Sequence, residues 1–91
     1  EKWRPPVTVL DLCLNPREGI NSGLNLLCEL LVRDPTIRVI ILTGHGGIEN
    51  GVAALNRGAM TFLEKPANSE HLLVLLRDGL KQAEIRREHL R

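Results

Sequence analysis

The sequence predicts an α/β protein, a parallel sheet with helices on both faces, and three observations carry that prediction. Residues 6–14 read PVTVLDLCL, a short apolar run with three β-branched residues that ends in one carboxylate, Asp11. Two further runs share the design: residues 37–44 (IRVIILTG) end in the hydroxyl of Thr43, and residues 59–66 (AMTFLEKP) end in the ammonium of Lys65. Each run is followed by a segment with helical spacing. Strands alternating with helices argue for a parallel sheet. In such sheets ligands sit beyond the carboxyl ends of the strands. The pattern therefore assigns an acid, an alcohol and an amine to one rim.

The totals bound the alternatives. Ninety-one residues allow one domain at most. A chain of this length buries a little over ~60% of its unfolded surface, so the core is modest. Trp3 and Phe62 are the only aromatics, so that core is aliphatic. A net charge of +1 gives no argument for direct nucleic-acid contact or for an anionic membrane. Cys13 and Cys28 are too few and wrongly spaced for a disulfide scaffold or a zinc site. Free thiols suit a reducing cytoplasm. No run approaches the ~18 apolar residues of a membrane span, and the start, EKWRPP, is not a signal peptide. With no initiating Met and a strand so near the start, the chain is expected to be part of something longer.

Taken in order, residues 1–5 are an exposed lead-in, and Pro5-Pro6 favours an extended entry. The first strand spans residues 7–12, with Val7 and Val9 on one face and Thr8 and Leu10 on the other. Residues 15–22 form a loop, from which Asn21 or Ser22 caps the next helix. That helix covers about residues 23–33, with Leu24, Leu27, Cys28 and Leu31 on one stripe. Asp34-Pro35 stops it. Residues 37–42 are the most apolar run and the expected central strand. A turn at residues 43–47 leads to a short helix over about 48–57, with Val52 and Leu55 facing inward. Gly58 suits the left-handed residue that ends helices. Residues 59–64 are the third strand. Asn68 or Ser69 caps a last helix over about residues 69–91, whose apolar stripe is Leu72, Leu73, Leu76 and Leu80. Beyond Leu80 the sequence turns charged, which reads as a solvated helix end. The sharper alternative is a connector or dimer seam along Leu76, Leu80, Ala83 and Leu90, interrupted by Arg87. Right-handed crossovers with strand order 1-2-3 put the first two helices on one face and free the last for the other. The first strand then has an open edge, which needs a partner strand or a second copy of the chain.

A carboxylate at the end of a buried strand is costly unless it is solvated, paired or metal-bound. One reading of the rim is structural: Asp11 pairs with Lys65, and Thr43 is a local donor. The other is chemical. An aspartate can accept a phosphoryl group as a covalent aspartyl phosphate. Lys65 would neutralise the phosphoryl oxygens and Thr43 would donate to one of them. Other candidates are weaker. Gly44-His45-Gly46-Gly47 lacks the Lys-Ser/Thr of a P-loop, and His45 has no carboxylate partner nearby in sequence. The strand-end Asp of haloacid-dehalogenase phosphatases needs a second Asp where this chain has Cys13.

Asp11 in VLDLCL, Thr43 in IILTGHG and Lys65 in GAMTFLEKP resemble the phosphoacceptor Asp, the switch Thr and the Lys-Pro of bacterial two-component response regulator receiver domains. Residues 42–66, LTGHGGIENGVAALNRGAMTFLEKP, are similar to the nitrogen-regulation (NtrC-like) class, and the resemblance covers about residues 6–80. It implies a flavodoxin-like fold, seen here as three β–α units of the usual five. The whole chain is then a partial receiver domain lacking its N-terminal part. It also implies phosphorylation of Asp11 by a sensor histidine kinase. Thr43 and the switch aromatic Phe62 respond, Lys65–Pro66 is cis, and Mg²⁺ is held by Asp11 and the backbone carbonyl of Cys13. The implied protein is a cytoplasmic, non-enzymatic signalling domain with an output domain such as a sigma-54-type ATPase. Receivers also carry an acidic pair that binds Mg²⁺, and no two acidic residues are adjacent anywhere in this chain. The alternative is a receiver-like module that docks or dimerises without phosphate.

Overall fold

The structure is a computed structural model that describes residues 6–12, 21–44 and 47–89. The elements alternate as expected: β1 (Val7–Asp11), α1 (Asn21–Arg33), β2 (Arg38–Thr43), α2 (Ile48–Asn56), β3 (Thr61–Glu64) and α3 (Ser69–His89). All pairing is parallel, in the order β1-β2-β3. Register aligns Val9 with Ile40 and Thr61, and Leu10 with Ile41 and Phe62. Strand partners in one row share a face, so alternate residues supply two different layers.

The Leu10 row faces α1 and α2. There Leu10, Leu12, Val39 and Ile41 pack with Leu24 and Leu27 of α1 and Ala54 of α2 in one buried aliphatic cluster. The Val9 row faces α3, which packs on β1 and β2. Ile40 and Ala83 are fully buried on that side. Gly79 lets α3 approach closely, since a Cβ there would lie 2.9 Å from Val7 Cγ2. A sheet covered on both faces explains why β2 is almost uniformly apolar and buried.

Local signals behave largely as their chemistry dictates. Gly58 is at φ 107°, where a Cβ would be strained, and its N–H donates to the Leu55 carbonyl to close α2. Asn68 caps α3, its Oδ1 accepting from the His71 N–H at 3.0 Å. Ser22, by contrast, lies inside α1 rather than at its cap, because the helix already includes Asn21.

The inward faces of the helices differ from expectation. On α2 the buried residues are Gly51 and Ala54, while Val52 is 46% exposed and Leu55 38%. The cause is Phe62: a Cβ on Gly51 would fall 2.3 Å from the ring, so the aromatic occupies the space a larger residue would need. Cys28 of α1 is exposed. On α3, Leu73 and Leu80 are about half exposed, and burial runs through Gly79 and Ala83 instead.

The charged end of α3 is not simply solvated. Arg87 Nη2 donates to Asp34 Oδ2 at 2.8 Å, and its Nε donates to Thr36 Oγ1 at 2.9 Å. Asp34 Oδ1 in turn accepts from the Thr36 N–H and hydroxyl. Arg87, which would interrupt a dimer seam, anchors α3 to the α1–β2 turn, and Ala83 is buried within the chain's own fold. Leu90 lies outside the described residues, as do the lead-in and residues 15–20 of the expected loop.

Candidate functional site

Each of the three rim residues closes or follows a strand, and parallel pairing brings their ends together. Asp11 is the last residue of β1, opposite Leu42. The Leu12 N–H donates to the Leu42 carbonyl at 2.9 Å, which extends that pairing one step past the acid. Thr43 is the last residue of β2, opposite Glu64, and its carbonyl accepts from the Lys65 N–H at 2.8 Å. The backbone ladder therefore fixes all three at one lip.

Across that lip Lys65 Nζ forms an ion pair with Asp11 Oδ2, although the two lie 54 positions apart in sequence. Both stay partly open, with side chains 44% and 37% exposed respectively. An exposed pair of this kind is worth about 0–1 kcal/mol, too little to explain the fold. It does, however, hold a carboxylate oxygen and an ammonium together at the open end of the sheet. Thr43 is different: it is only 2% exposed, and its hydroxyl makes a long 3.4 Å contact to the Leu63 carbonyl. A Cβ on Gly47 would lie 2.8 Å from Thr43 Cβ, so Gly47 sits tightly against the threonine.

Phe62, in the row beside Ile41, packs over Gly51 and against the buried cluster. The Lys65–Pro66 peptide is cis, as the resemblance implied. Cys13 and His45 lie outside the described residues. Sequence reasoning missed Gly47 and Gly51 as the contacts of Thr43 and Phe62. Their signal was only that glycine stood where a stripe of large side chains was sought. It also missed the ion pair of Asp34 and Arg87, for which the Asp-Pro-Thr turn gave half the information and long-range packing the rest.

The described residues do not make a Mg²⁺ site among themselves. Mg²⁺ demands about six oxygens in near-octahedral geometry. Among the described residues no three His, Cys, Asp or Glu side chains gather. The Asp11 carboxylate is engaged by Lys65.

Comparison with known proteins agrees with this geometry. Residues 1–77 match the response regulator receiver domain family. The chain is 39% identical over 85 residues to the nitrogen assimilation regulatory protein NtrX of Azorhizobium caulinodans, covering 93% of this chain and 18% of that protein. It is 37% identical over 79 residues to the alginate biosynthesis transcriptional regulatory protein AlgB of Pseudomonas aeruginosa, covering 86% and 17%. Among solved structures, NtrX from Brucella abortus superposes with a TM-score of 0.79 at 36% identity, over 96% of this chain and 19% of that one. The receiver domain of the same protein gives 0.72 at 32% identity, over 85% and 62%. The chain thus spans less than a fifth of the length of these curated relatives. With a family match over most of its length, relatives in two regulator groups and the receiver architecture in its sheet and helices, the chain belongs to the response regulator receiver domain family.

Proposed function

We propose that Asp11 is the phosphoacceptor of a two-component signalling domain, and that the receiver switches an output domain in a longer transcriptional regulator. The observation that carries this reading is the partly open Asp11 carboxylate at the lip, ion-paired with Lys65. A carboxylate oxygen of Asp11 attacks the phosphorus of a histidine kinase's phosphohistidine. The P–N bond breaks with its electron pair leaving on the imidazole, and an acyl phosphate forms. Lys65 Nζ exchanges its carboxylate partner for the phosphoryl oxygens, and the charge stabilisation expected of phosphoryl transfer comes from there. Thr43 donates its hydroxyl to a phosphoryl oxygen, which requires it to leave its long contact with Leu63. Phe62, seated on Gly51, carries that shift toward α2. The roles of NtrX and AlgB as regulatory proteins support a regulatory output, and the reaction is signalling chemistry rather than turnover of a metabolite.

The test is incubation with a small phosphodonor in buffer containing Mg²⁺, read by intact-protein mass. The expected result is a gain of one phosphoryl group that Asp11→Asn abolishes. No gain would instead favour the module that docks or dimerises without phosphate. That second reading draws on the same lip, where the Asp11 carboxylate is already ion-paired with Lys65.

A further inference from the structure

The last turns of α3 are tied to the rest of the fold by a polar contact rather than by apolar packing. Burial along the helix ends at Ala83. Beyond it residues 84, 85, 86 and 88 are exposed, Ile85 at 57%, and Arg87 is half-buried. Arg87 reaches the turn between α1 and β2, where its Nη2 donates to Asp34 Oδ2 at 2.8 Å and its Nε donates to Thr36 Oγ1 at 2.9 Å. The receiving side is built in advance. The Asp34 N–H donates to the Leu30 carbonyl at 2.9 Å, and the Asp34 carbonyl accepts from the Ile37 N–H at 3.1 Å. Asp34 Oδ1 accepts from the Thr36 N–H and hydroxyl, which leaves the hydroxyl oxygen turned to accept from Arg87. Asp34 is only 8% exposed and Thr36 4%. A guanidinium fork suits two acceptors set side by side, where a lysine would offer a point charge. The family match stops at residue 77, while α3 continues unbroken to His89.

We propose that Asp34, Thr36 and Arg87 form a latch that fixes the direction in which α3 leaves the domain, and that opening it frees residues 84–89 as one small unit while the rest of the helix stays docked. A helix end without a buried apolar stripe gains little from propagation alone, so its order depends on what anchors it. Hydrogen bonds to charged groups shift an equilibrium by roughly ten- to a hundredfold, which makes the closed state dominant and keeps the open one within reach. Units of this stability open locally without unfolding the core. In a longer regulator, the chain that follows α3 takes its direction from the closed latch and swivels when it opens. That use rests on the proposed regulatory role, whereas the latch itself shares no residue with the Asp11 lip.

The experiment is native-state hydrogen exchange of the 91-residue chain at neutral pH and in low urea, read by fragment mass spectrometry. Amides of residues 84–89 should be protected about ten- to a hundredfold and respond little to urea, because local opening exposes little surface. Those of residues 75–83 should be protected at least about tenfold more. Arg87→Ala should remove about tenfold or more of the protection at residues 84–89, although alanine favours helix at least as well as arginine. Arg87→Lys should recover part of it, and Arg86→Ala, which removes the neighbouring exposed charge, should leave it within about twofold. One protection level and one urea slope shared by residues 75–89 would show that the end is not a separate unit. Unchanged protection in Arg87→Ala, or an equal loss in Arg86→Ala, would overturn the latch. The mass gain at Asp11 tests the regulatory role separately.

Discussion

Asp34 and Lys65 are both charged partners in this chain, but their surroundings give them different weights. Burial pushes Asp34 up, while hydrogen bonds from Thr36 and the Arg87 guanidinium outweigh it and hold the carboxyl below its ordinary value. A group with a depressed folded pKa contributes stability above its unfolded value, about 4, and loses it as pH falls through the folded value. Asp34→Asn should therefore cost roughly 1–3 kcal/mol at neutral pH, with the penalty shrinking below about pH 4. Urea titrations of both proteins across that range check it, and a penalty independent of pH would contradict it. Lys65→Ala should change stability by less than about 1 kcal/mol, since its pair is open to water. Under the proposed function its effect falls on signalling. Output from a regulator carrying this receiver should fall more than phosphate uptake, and equal losses in paired uptake and reporter assays would count against that.

At the scale of elements, the instructive case is α2. Alanine normally stabilises a helix interior relative to glycine by about 1 kcal/mol. At Gly51 the sign should reverse, because the added Cβ would sit 2.3 Å from the Phe62 ring. We expect Gly51→Ala to destabilise by about 1–3 kcal/mol, as overpacking does. Adding Phe62→Leu should recover part of that loss. A double-mutant cycle by thermal unfolding reads the coupling, and strict additivity would show that the two do not touch. The same helix shows where sequence reading stops. The spacing of Val52 and Leu55 marks an apolar stripe, but a stripe of large residues does not say which face is buried when a neighbour's aromatic fills the gap. Gly51 and Ala54 are inside because they are small. The strands were more legible, since β-branched runs closed by Asp11, Thr43 and Lys65 need no knowledge of their neighbours. Observed bounds moved by only one or two residues. On α3, Arg87 sits inside a charged run and faces inward only because Asp34 waits on another element. No local pattern records a partner 53 positions away.

For the whole molecule, strand order and the split of helices between two faces followed from right-handed crossovers, and the rim followed from both. The same layout leaves β1 at the edge of the described sheet. Beside it runs a groove of about 660 Å³ lined largely by apolar side chains, Pro6, Val7, Leu73, Leu76 and Leu80 among them. Among the described residues no helix is long and apolar enough to cross a membrane. An open edge beside an apolar groove should make this chain self-associate. Sedimentation velocity over a range of concentrations should show it, with Val9→Lys shifting the population toward monomer. A chain that stays monomeric throughout would remove the argument.

The central claim is that an acid, placed by parallel pairing at the lip beside Lys65, takes a phosphoryl group. Its most direct measurement is fragment mass spectrometry of the chain after exposure to a phosphodonor, with and without hydroxylamine. The account predicts the added mass on the peptide containing Asp11, and its loss in hydroxylamine, which cleaves acyl phosphates and spares phosphate esters. A modification mapped elsewhere, or one that survives hydroxylamine, would contradict it.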